Sequence, residues 1–173
     1  DGSSGIELWA HDTSNISTWQ VADVHNGQGN SEPGKYMSIL IEDTIYFDAN
    51  DGNSGVELWA HNISNATTWQ TSDIYAGGSS SYSGEYMSLL VGDTLYFSAG
   101  NGSTGQELWA HDASNDSTWL VADIHSSGDS DPGQFMAHVV GDTLYFSADD
   151  GNIGEELWAH DTSNHSTWLV SDI

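Results

Sequence analysis

The chain has 173 residues, 26 acidic side chains and one basic side chain, Lys35, which together give a formal net charge of −25. One lysine cannot replace the counterions of a nucleic acid or bind an anionic membrane surface, so both of these partners are excluded. No run of about 18 apolar residues is present, so no membrane insertion is expected. The absence of cysteine excludes a disulfide scaffold, a thiolate zinc site and a cysteine nucleophile.

The sequence is organised as a tandem repeat. The pentapeptide Glu-Leu-Trp-Ala-His begins at Glu7, Glu57, Glu107 and Glu156, so the period is 50, 50 and 49 residues. A second tryptophan follows the first by ten residues in every copy. Copies at one nearly fixed period indicate a single supersecondary unit. We predict a half repeat at 1–24 and full repeats at 25–74, 75–124 and 125–173.

Each full repeat is predicted to form four short strands. In the first full repeat these strands cover about 36–41, 44–49, 57–61 and 68–74. The second strand alternates, which places Ile45, Phe47 and Ala49 on one face and Tyr46 and Asp48 on the other. No segment shows a 3.6-residue apolar period, so helix content is expected to be close to nil.

Short turns join these strands. The first two strands of the later copies meet at a glycine-first pair, Gly92-Asp93 or Gly141-Asp142, which favours a type II′ hairpin turn. The earlier copy has Glu42 at this place, where a positive φ costs about 1 kcal/mol because a side chain disfavours that region. An Asp-Gly or Asn-Gly pair, a strong hairpin signal, joins the second and third strands at 51–52, 101–102 and 150–151.

Four antiparallel strands in every 50 residues or so are typical of a β-propeller blade. We therefore predict an all-β chain of tandem four-stranded antiparallel units that resemble propeller blades. A β-solenoid, an open repeat array and a string of small sandwiches are the alternatives. In an up-and-down blade, the first and third turns lie at one rim, and the second turn and the inter-repeat loop lie at the other.

The repeated strings resemble those of a known family. Glu107-Leu-Trp-Ala-His-Asp112, Val121-Ala-Asp-Ile124 and the stretch Gly141–Gly151 are similar to the ELWxxDGT repeat family, in register over the whole chain. The resemblance implies a secreted or surface protein of bacteria or archaea with propeller-like repeats, and it transfers no catalytic residue. The glycine of the family's Asp-Gly-Thr is absent here, where the first copy reads Asp12-Thr13-Ser14.

The loop between the third and fourth strands carries Asn-x-Ser/Thr in every copy. These triplets are acceptors for N-glycosylation in an exported protein. The alternative is a polar loop whose asparagine and serine side chains hydrogen-bond their own backbone. The predicted acceptors are Asn15, Asn65, Asn115 and Asn164, and two further triplets begin at Asn62 and Asn101.

A second candidate is a calcium site, the one cofactor that the sequence suggests. Oxygen ligands at two-residue spacing around a glycine turn are typical of calcium loops. The candidate ligands are Asp48, Asn50, Asp51 and Glu57. The alternative is that this segment is only a hairpin turn, because the next copy has Ser98 and Gly100 at equivalent positions.

Histidine and tryptophan also recur once or twice in each copy. His11, His61, His111 and His160 occupy one equivalent position and should lie far apart, so we expect structural roles rather than a shared metal site. The two tryptophans of each repeat are expected in the core. The alternative is that exposed aromatic rings form platforms for sugars.

These features favour a non-enzymatic structural or adhesive repeat protein of the cell exterior, part of a sheath, filament or matrix. The alternative is a carbohydrate-binding propeller module. Asp1-Gly2 matches Asp51-Gly52, and the fourth strand of the last copy ends at Ile173, so the repeat pattern is cut within a unit. From this we expect a longer array or self-association into a polymer.

Overall fold

A computed structural model describes residues 3–172 of the chain. Asp1, Gly2 and Ile173 lie outside the described residues. The prediction that the repeat pattern is cut within a unit rests on these residues and therefore also lies outside them. The described residues form strands and turns without a helix, and accordingly none of them belongs to a helix that could cross a membrane. The all-β prediction is confirmed.

Fourteen strands follow one another in the described part of the chain. They are β1 (Leu8–Asp12), β2 (Ser17–Ala22), β3 (Ser38–Ile41), β4 (Thr44–Asn50), β5 (Val56–Asn62), β6 (Thr67–Ser72), β7 (Ser88–Val91), β8 (Thr94–Gly100), β9 (Gln106–Asp112), β10 (Ser117–Ala122), β11 (Ala137–Val140), β12 (Thr143–Asp149), β13 (Glu155–Asp161) and β14 (Ser166–Ser171). The strands form four sheets, β1–β2, β3–β6, β7–β10 and β11–β14, and within each sheet consecutive strands pair antiparallel. One sheet therefore lies within each predicted repeat.

The chain divides into two compact units, Asp1–Ser80 and Ser81–Ile173. In the first unit, Leu8 and Ala22 of the two-stranded sheet pack against Phe47, Ala49 and other apolar side chains of sheet β3–β6. Phe47 and Ala49 are buried on one face of β4, and Tyr46 and Asp48 are buried on the other. Both faces of the predicted alternating strand are therefore removed from water.

In the second unit, sheet β7–β10 packs face to face on sheet β11–β14. Tyr96, Leu108 and Ala110 form one side of this core, and Leu144 and Phe146 form the other. Within each sheet the register places these residues on a common face, since Tyr96 lies opposite Ala110 in the ladder. A strand that is buried on both faces needs apolar side chains at successive positions. This explains the nearly continuous apolar stretches in the inner strands of the repeats.

The turns adopt the backbone that the sequence predicts. Gly92 and Gly141 have φ of 59° and 62°, and Glu42 at the equivalent position has φ of 50°. A positive φ at the first turn residue but not at the second distinguishes a type II′ turn from a type I′ turn. The second residues, Asp43, Asp93 and Asp142, have no positive φ. The second hairpin is longer than the two-residue turn that an Asp-Gly pair favours, because strand β4 ends at Asn50 and strand β5 begins at Val56.

The first and third turns of each repeat lie together at one rim, as predicted. The backbone N–H of Ile63 donates to the carbonyl oxygen of Asp43 at 2.8 Å, and Ala113 donates to Asp93 at 3.0 Å. At the opposite rim the second hairpin meets the inter-repeat loop, where the N–H of Val56 donates to Ser80 Oγ at 2.9 Å.

Candidate functional site

The predicted glycosylation acceptors lie at exposed turn tips. Asn15, Asn65, Asn115 and Asn164 are exposed and fall between the third and fourth strands of their repeats. The residue after each asparagine has a positive φ, for example 60° at Ile16. This conformation turns the chain so that the asparagine stands at the tip of the hairpin.

The alternative prediction for these loops was that their polar side chains hydrogen-bond within the loop, and such hydrogen bonds are present in the structure. Asp12 Oδ1 accepts a hydrogen bond from the N–H of Ser14 at 2.7 Å, and Asp12 Oδ2 accepts one from Asn15 Nδ2 at 2.8 Å. Asn15 Oδ1 accepts from the N–H of Ser17 at 2.9 Å. The Ser14 hydroxyl and N–H hold the pKa of Asp12 below its ordinary value. Glycan attachment stays a prediction.

The two further acceptor asparagines are placed differently. Asn62 is half-buried at the end of β5, where its Nδ2 donates to Thr44 Oγ1 at 3.0 Å. Asn101 is half-buried in a hairpin, where its Oδ1 accepts from the N–H groups of Ser103 and Thr104, both at 2.9 Å. Both side chains serve the fold and are less accessible than the four turn tips.

The four candidate calcium ligands do not converge in the structure. Ala49 lies opposite Glu57, and Asp48 lies opposite Leu58, so the side chains of Asp48 and Glu57 are on different faces of the sheet. Within residues 3–172, no group of three or more His, Cys, Asp or Glu side chains is arranged to hold a metal ion. Bound calcium stays an untested prediction.

Among these candidate ligands, Asp48 has a structural role that the other repeats reproduce. Asp48 Oδ1 accepts from the N–H groups of Tyr36 and Met37, both at 2.8 Å. Ser98 Oγ accepts from Tyr86 N–H at 3.0 Å, and Ser147 Oγ does the same for Phe135. The position thus needs a hydrogen-bond acceptor that holds the start of the first strand, and it does not need a carboxylate.

Sequence reasoning missed a buried carboxylate in every repeat. The glutamate of Glu-Leu-Trp is buried at positions 7, 57, 107 and 156. Glu107 Oε2 accepts from the N–H of Ile124 and from Ser130 Oγ, both at 2.7 Å. Glu7 Oε2 likewise accepts from Val24 N–H at 2.8 Å and from Ser31 Oγ at 2.7 Å. The carboxylate joins its own strand to the loop that leads into the next repeat.

Burial makes the Glu107 carboxyl unusual. Loss of solvent raises the pKa of Glu107 to about 7, although Ser130, Ile124 and His125 donate hydrogen bonds that work in the opposite direction. The invariant glutamate in four copies was a signal that could have revealed this contact. The alternation of side chains along the strand, taken alone, does not indicate which strand residue contacts the following loop.

The four equivalent histidines have structural partners, as expected. His11, His61, His111 and His160 each place Nδ1 between 2.7 and 2.9 Å from the hydroxyl of the threonine across the ladder. Burial lowers the pKa of His61, His111 and His160. The lowered pKa favours the neutral form of His61, His111 and His160. Through the threonine contact, all four rings brace the third strand of their repeat against the fourth.

The tryptophans are only partly in the core. Trp59, Trp69, Trp109, Trp119 and Trp158 are half-buried. Trp9, Trp19 and Trp168 are 40 to 48 % exposed. The largest fully buried rings are instead Phe47, Phe97 and Phe146. The expectation of tryptophans in the core is therefore wrong in part, because ring exposure depends on whether another sheet covers that face.

Comparisons with known proteins show the fold. No protein-family model matches the chain, and no curated protein matches it. Among solved structures it is similar to an S511A mutant of puromycin hydrolase complexed with PGG (TM-score 0.63, 9% identity, 91% of this chain and 22% of that one). It is also similar to a puromycin-hydrolyzing peptidase of Mycobacterium tuberculosis, with a TM-score of 0.55 and 12% identity over 91% of this chain and 23% of that one. TolB from Acinetobacter baumannii matches with a TM-score of 0.52 and 12% identity over 96% of this chain and 38% of that one.

The chain spans 22 to 38% of the length of these solved proteins, and the identities are too low to show more than a shared fold. The similarity covers nearly all of this chain. It agrees with the four-stranded antiparallel meander seen in three of the sheets. The chain is built of tandem β-propeller-like blades.

Proposed function

We propose that this chain is a non-enzymatic structural or adhesive segment of an extracellular protein that contributes to a surface sheath, filament or matrix. One observation carries the proposal: the buried polar side chains repeat the same internal contacts from copy to copy. Glu7 and Glu107 bind the following loop, and each equivalent histidine binds a threonine. An enzyme needs one asymmetric constellation with a free base or nucleophile.

The surface supports an exterior location. Four exposed turns carry acceptor asparagines at equivalent positions. With a net charge of −25 and one lysine, the chain has almost no positive charge with which to bind the nucleic acids and other polyanions of a cell interior. The resemblance to ELWxxDGT repeats points in the same direction.

Self-association is the testable part of this proposal. Sedimentation velocity over a wide concentration range and negative-stain electron microscopy should show concentration-dependent polymers or arrays. Calcium and sodium chloride are varied in parallel, because 25 net charges oppose association at low ionic strength. A monodisperse monomer under all of these conditions would overturn the proposed assembly role.

Carbohydrate binding is the second candidate function, and the exposed tryptophans support it. Trp19 and Trp168 occupy equivalent positions of β2 and β14 and are 48 and 40 % exposed. Flat aromatic rings can stack on the apolar faces of sugars. Titration with a panel of oligosaccharides, monitored by tryptophan fluorescence, should give saturable binding that Trp19→Ala weakens. Absence of any saturable response would exclude this function.

A further inference from the structure

We propose that Asn26 is a site of spontaneous covalent modification, at which the chain converts its own asparagine side chain to a carboxylate through a cyclic imide. The proposal is independent of the structural role proposed above. It rests on a comparison of the two Asn-Gly pairs of the sequence, Asn26-Gly27 and Asn101-Gly102. The dipeptide is the same at both places, but the structure gives the two asparagine side chains opposite environments.

The reaction needs only atoms of the chain and water. The backbone nitrogen of Gly27 gives up its proton and forms a bond to the side-chain carbonyl carbon of Asn26. The bond from that carbon to Nδ2 breaks, and Nδ2 takes up a proton and leaves as ammonia. Water then opens the cyclic imide at either carbonyl, which leaves aspartate or isoaspartate at position 26. Glycine favours the first step because no Cβ hinders the approach of its nitrogen.

The side chain of Asn26 is unrestrained. Asn26 and Gly27 are exposed in the loop that leads from β2 to β3, and within the described part of the chain no hydrogen bond holds the Asn26 amide. The N–H of Gly27 points to Asp23 Oδ2 at 3.4 Å, which is longer than a firm hydrogen bond. A Cβ added to Gly27 would meet no atom within 4 Å, so the cyclic imide has space to form.

The side chain of Asn101 is held in place. Its Oδ1 accepts hydrogen bonds from the N–H groups of Ser103 and Thr104, both at 2.9 Å. It also accepts from the hydroxyl groups of the same two residues, at 2.9 and 3.0 Å. These bonds must break before the side-chain carbon can turn toward the nitrogen of Gly102. The folded chain therefore protects Asn101 and leaves Asn26 open to attack.

The next repeat shows that the loop does not need asparagine at position 26. Its equivalent pair is Ala76-Gly77, and the N–H of Gly77 points to Asp73 Oδ2 at 3.3 Å. Gly27 and Gly77 both have a positive φ, 88° and 103°, so the same loop backbone forms with alanine. Modification at this exposed position should accordingly leave the sheets intact.

Incubation of the intact chain at mildly alkaline pH, followed by peptide mapping with mass spectrometry, tests the proposal. An isoaspartate-specific methyltransferase label identifies the second product, and ion-exchange chromatography detects the charge added to the net charge of −25. We expect Asn26 to react at least about tenfold faster than Asn101, because several hydrogen bonds to Asn101 must be lost first. Circular dichroism and the melting temperature of the modified chain should match those of the fresh chain.

The same incubation in concentrated urea is the control for the dipeptide itself. In the unfolded chain neither asparagine is held, so the two rates should agree within about threefold. The variant Asn26→Ala copies the residue of the next repeat, so it should stay folded and lose the fast reaction. An unmodified Asn26 in the folded chain, equal rates at both sites, or a faster reaction at Asn101 would each overturn the proposal. A tenfold difference that persists in urea would do so as well, because the fold would not then be its cause.

Discussion

Ser130 donates its hydroxyl hydrogen to the Glu107 carboxylate at 2.7 Å, and both side chains are completely buried. The two residues belong to different repeats, since Glu107 lies in β9 and Ser130 in the loop that precedes β11. The contact therefore joins one repeat to the next through a group that can gain or lose a proton.

This contact predicts a pH dependence of stability. Burial raises the pKa of Glu107 to about 7, above its ordinary value of 4.5, so the folded state keeps the proton to higher pH than the unfolded state. The contribution of Glu107 to the free energy of unfolding is therefore favourable at low pH and falls as pH rises from about 4.5 to 7. The loss is on the order of 3 kcal/mol.

Urea unfolding of the wild type and of Glu107→Gln between pH 4.5 and pH 8 measures this effect. The difference between the two proteins should change across the window, while the buried histidines contribute equally to both and cancel. Glu32→Gln removes an exposed carboxylate and is the matched control. A constant difference between wild type and Glu107→Gln at all pH values would contradict the prediction.

The chain itself supplies a test of the candidate calcium ligand Asp48. Ser98 and Ser147 hold the equivalent backbone N–H groups in the other repeats, so Asp48→Ser should keep the fold with little loss of stability. Asp48→Ala leaves two N–H groups without their acceptor and should cost about 1–3 kcal/mol. Thermal and urea unfolding of the two variants are compared. Equal losses would show that the carboxylate itself is needed.

A strained turn gives a stabilising substitution. Glu42 has φ of 50°, where the other repeats have Gly92 and Gly141. Glu42→Gly should raise the free energy of unfolding by about 1 kcal/mol, because glycine adopts this region without a steric penalty. The exposed substitution Gln28→Gly, at a residue without a positive φ, is the control for a general effect of added glycine. A loss of stability in Glu42→Gly would contradict the prediction.

Salt and calcium should both raise the melting temperature. With 25 net negative charges, the folded chain repels itself, and salt screens this repulsion. We expect a rise of a few degrees between about 0.02 M and about 0.5 M sodium chloride. Millimolar calcium at constant ionic strength should raise it further. Equal melting in chelator, calcium and high salt would contradict both parts.

Glycan occupancy should follow exposure. In a glycosylating eukaryotic host we expect modification at Asn15, Asn65, Asn115 and Asn164, whose side chains lie at exposed turn tips. Asn62, half-buried and bonded to Thr44, should stay unmodified. Intact mass and glycopeptide mapping before and after deglycosylation give the result. An unmodified mass, or occupancy at Asn62 ahead of the turn tips, would contradict the prediction.

The strand order and the turns were readable from the amino-acid sequence, because local chemistry determines them. The glycine-first pairs specify a positive φ at one residue, and alternation specifies which side chains share a face of β4. Four copies in register also identify the repeating unit. These signals lie within a few residues of one another, and they are sufficient to predict blade-like sheets.

Tertiary structure alone decided what the polar residues do. Nothing local to Glu107 shows that Ser130, 23 residues later, returns to donate a hydrogen bond to it. Asp48 and Glu57 are close enough in sequence to suggest one metal site, yet strand pairing places them on different faces. The exposure of Trp9 compared with Trp59 depends on which neighbouring strands and sheets are present. Burial is a property of the assembled sheets, and the same Glu-Leu-Trp-Ala-His sequence acquires different environments according to its place among them.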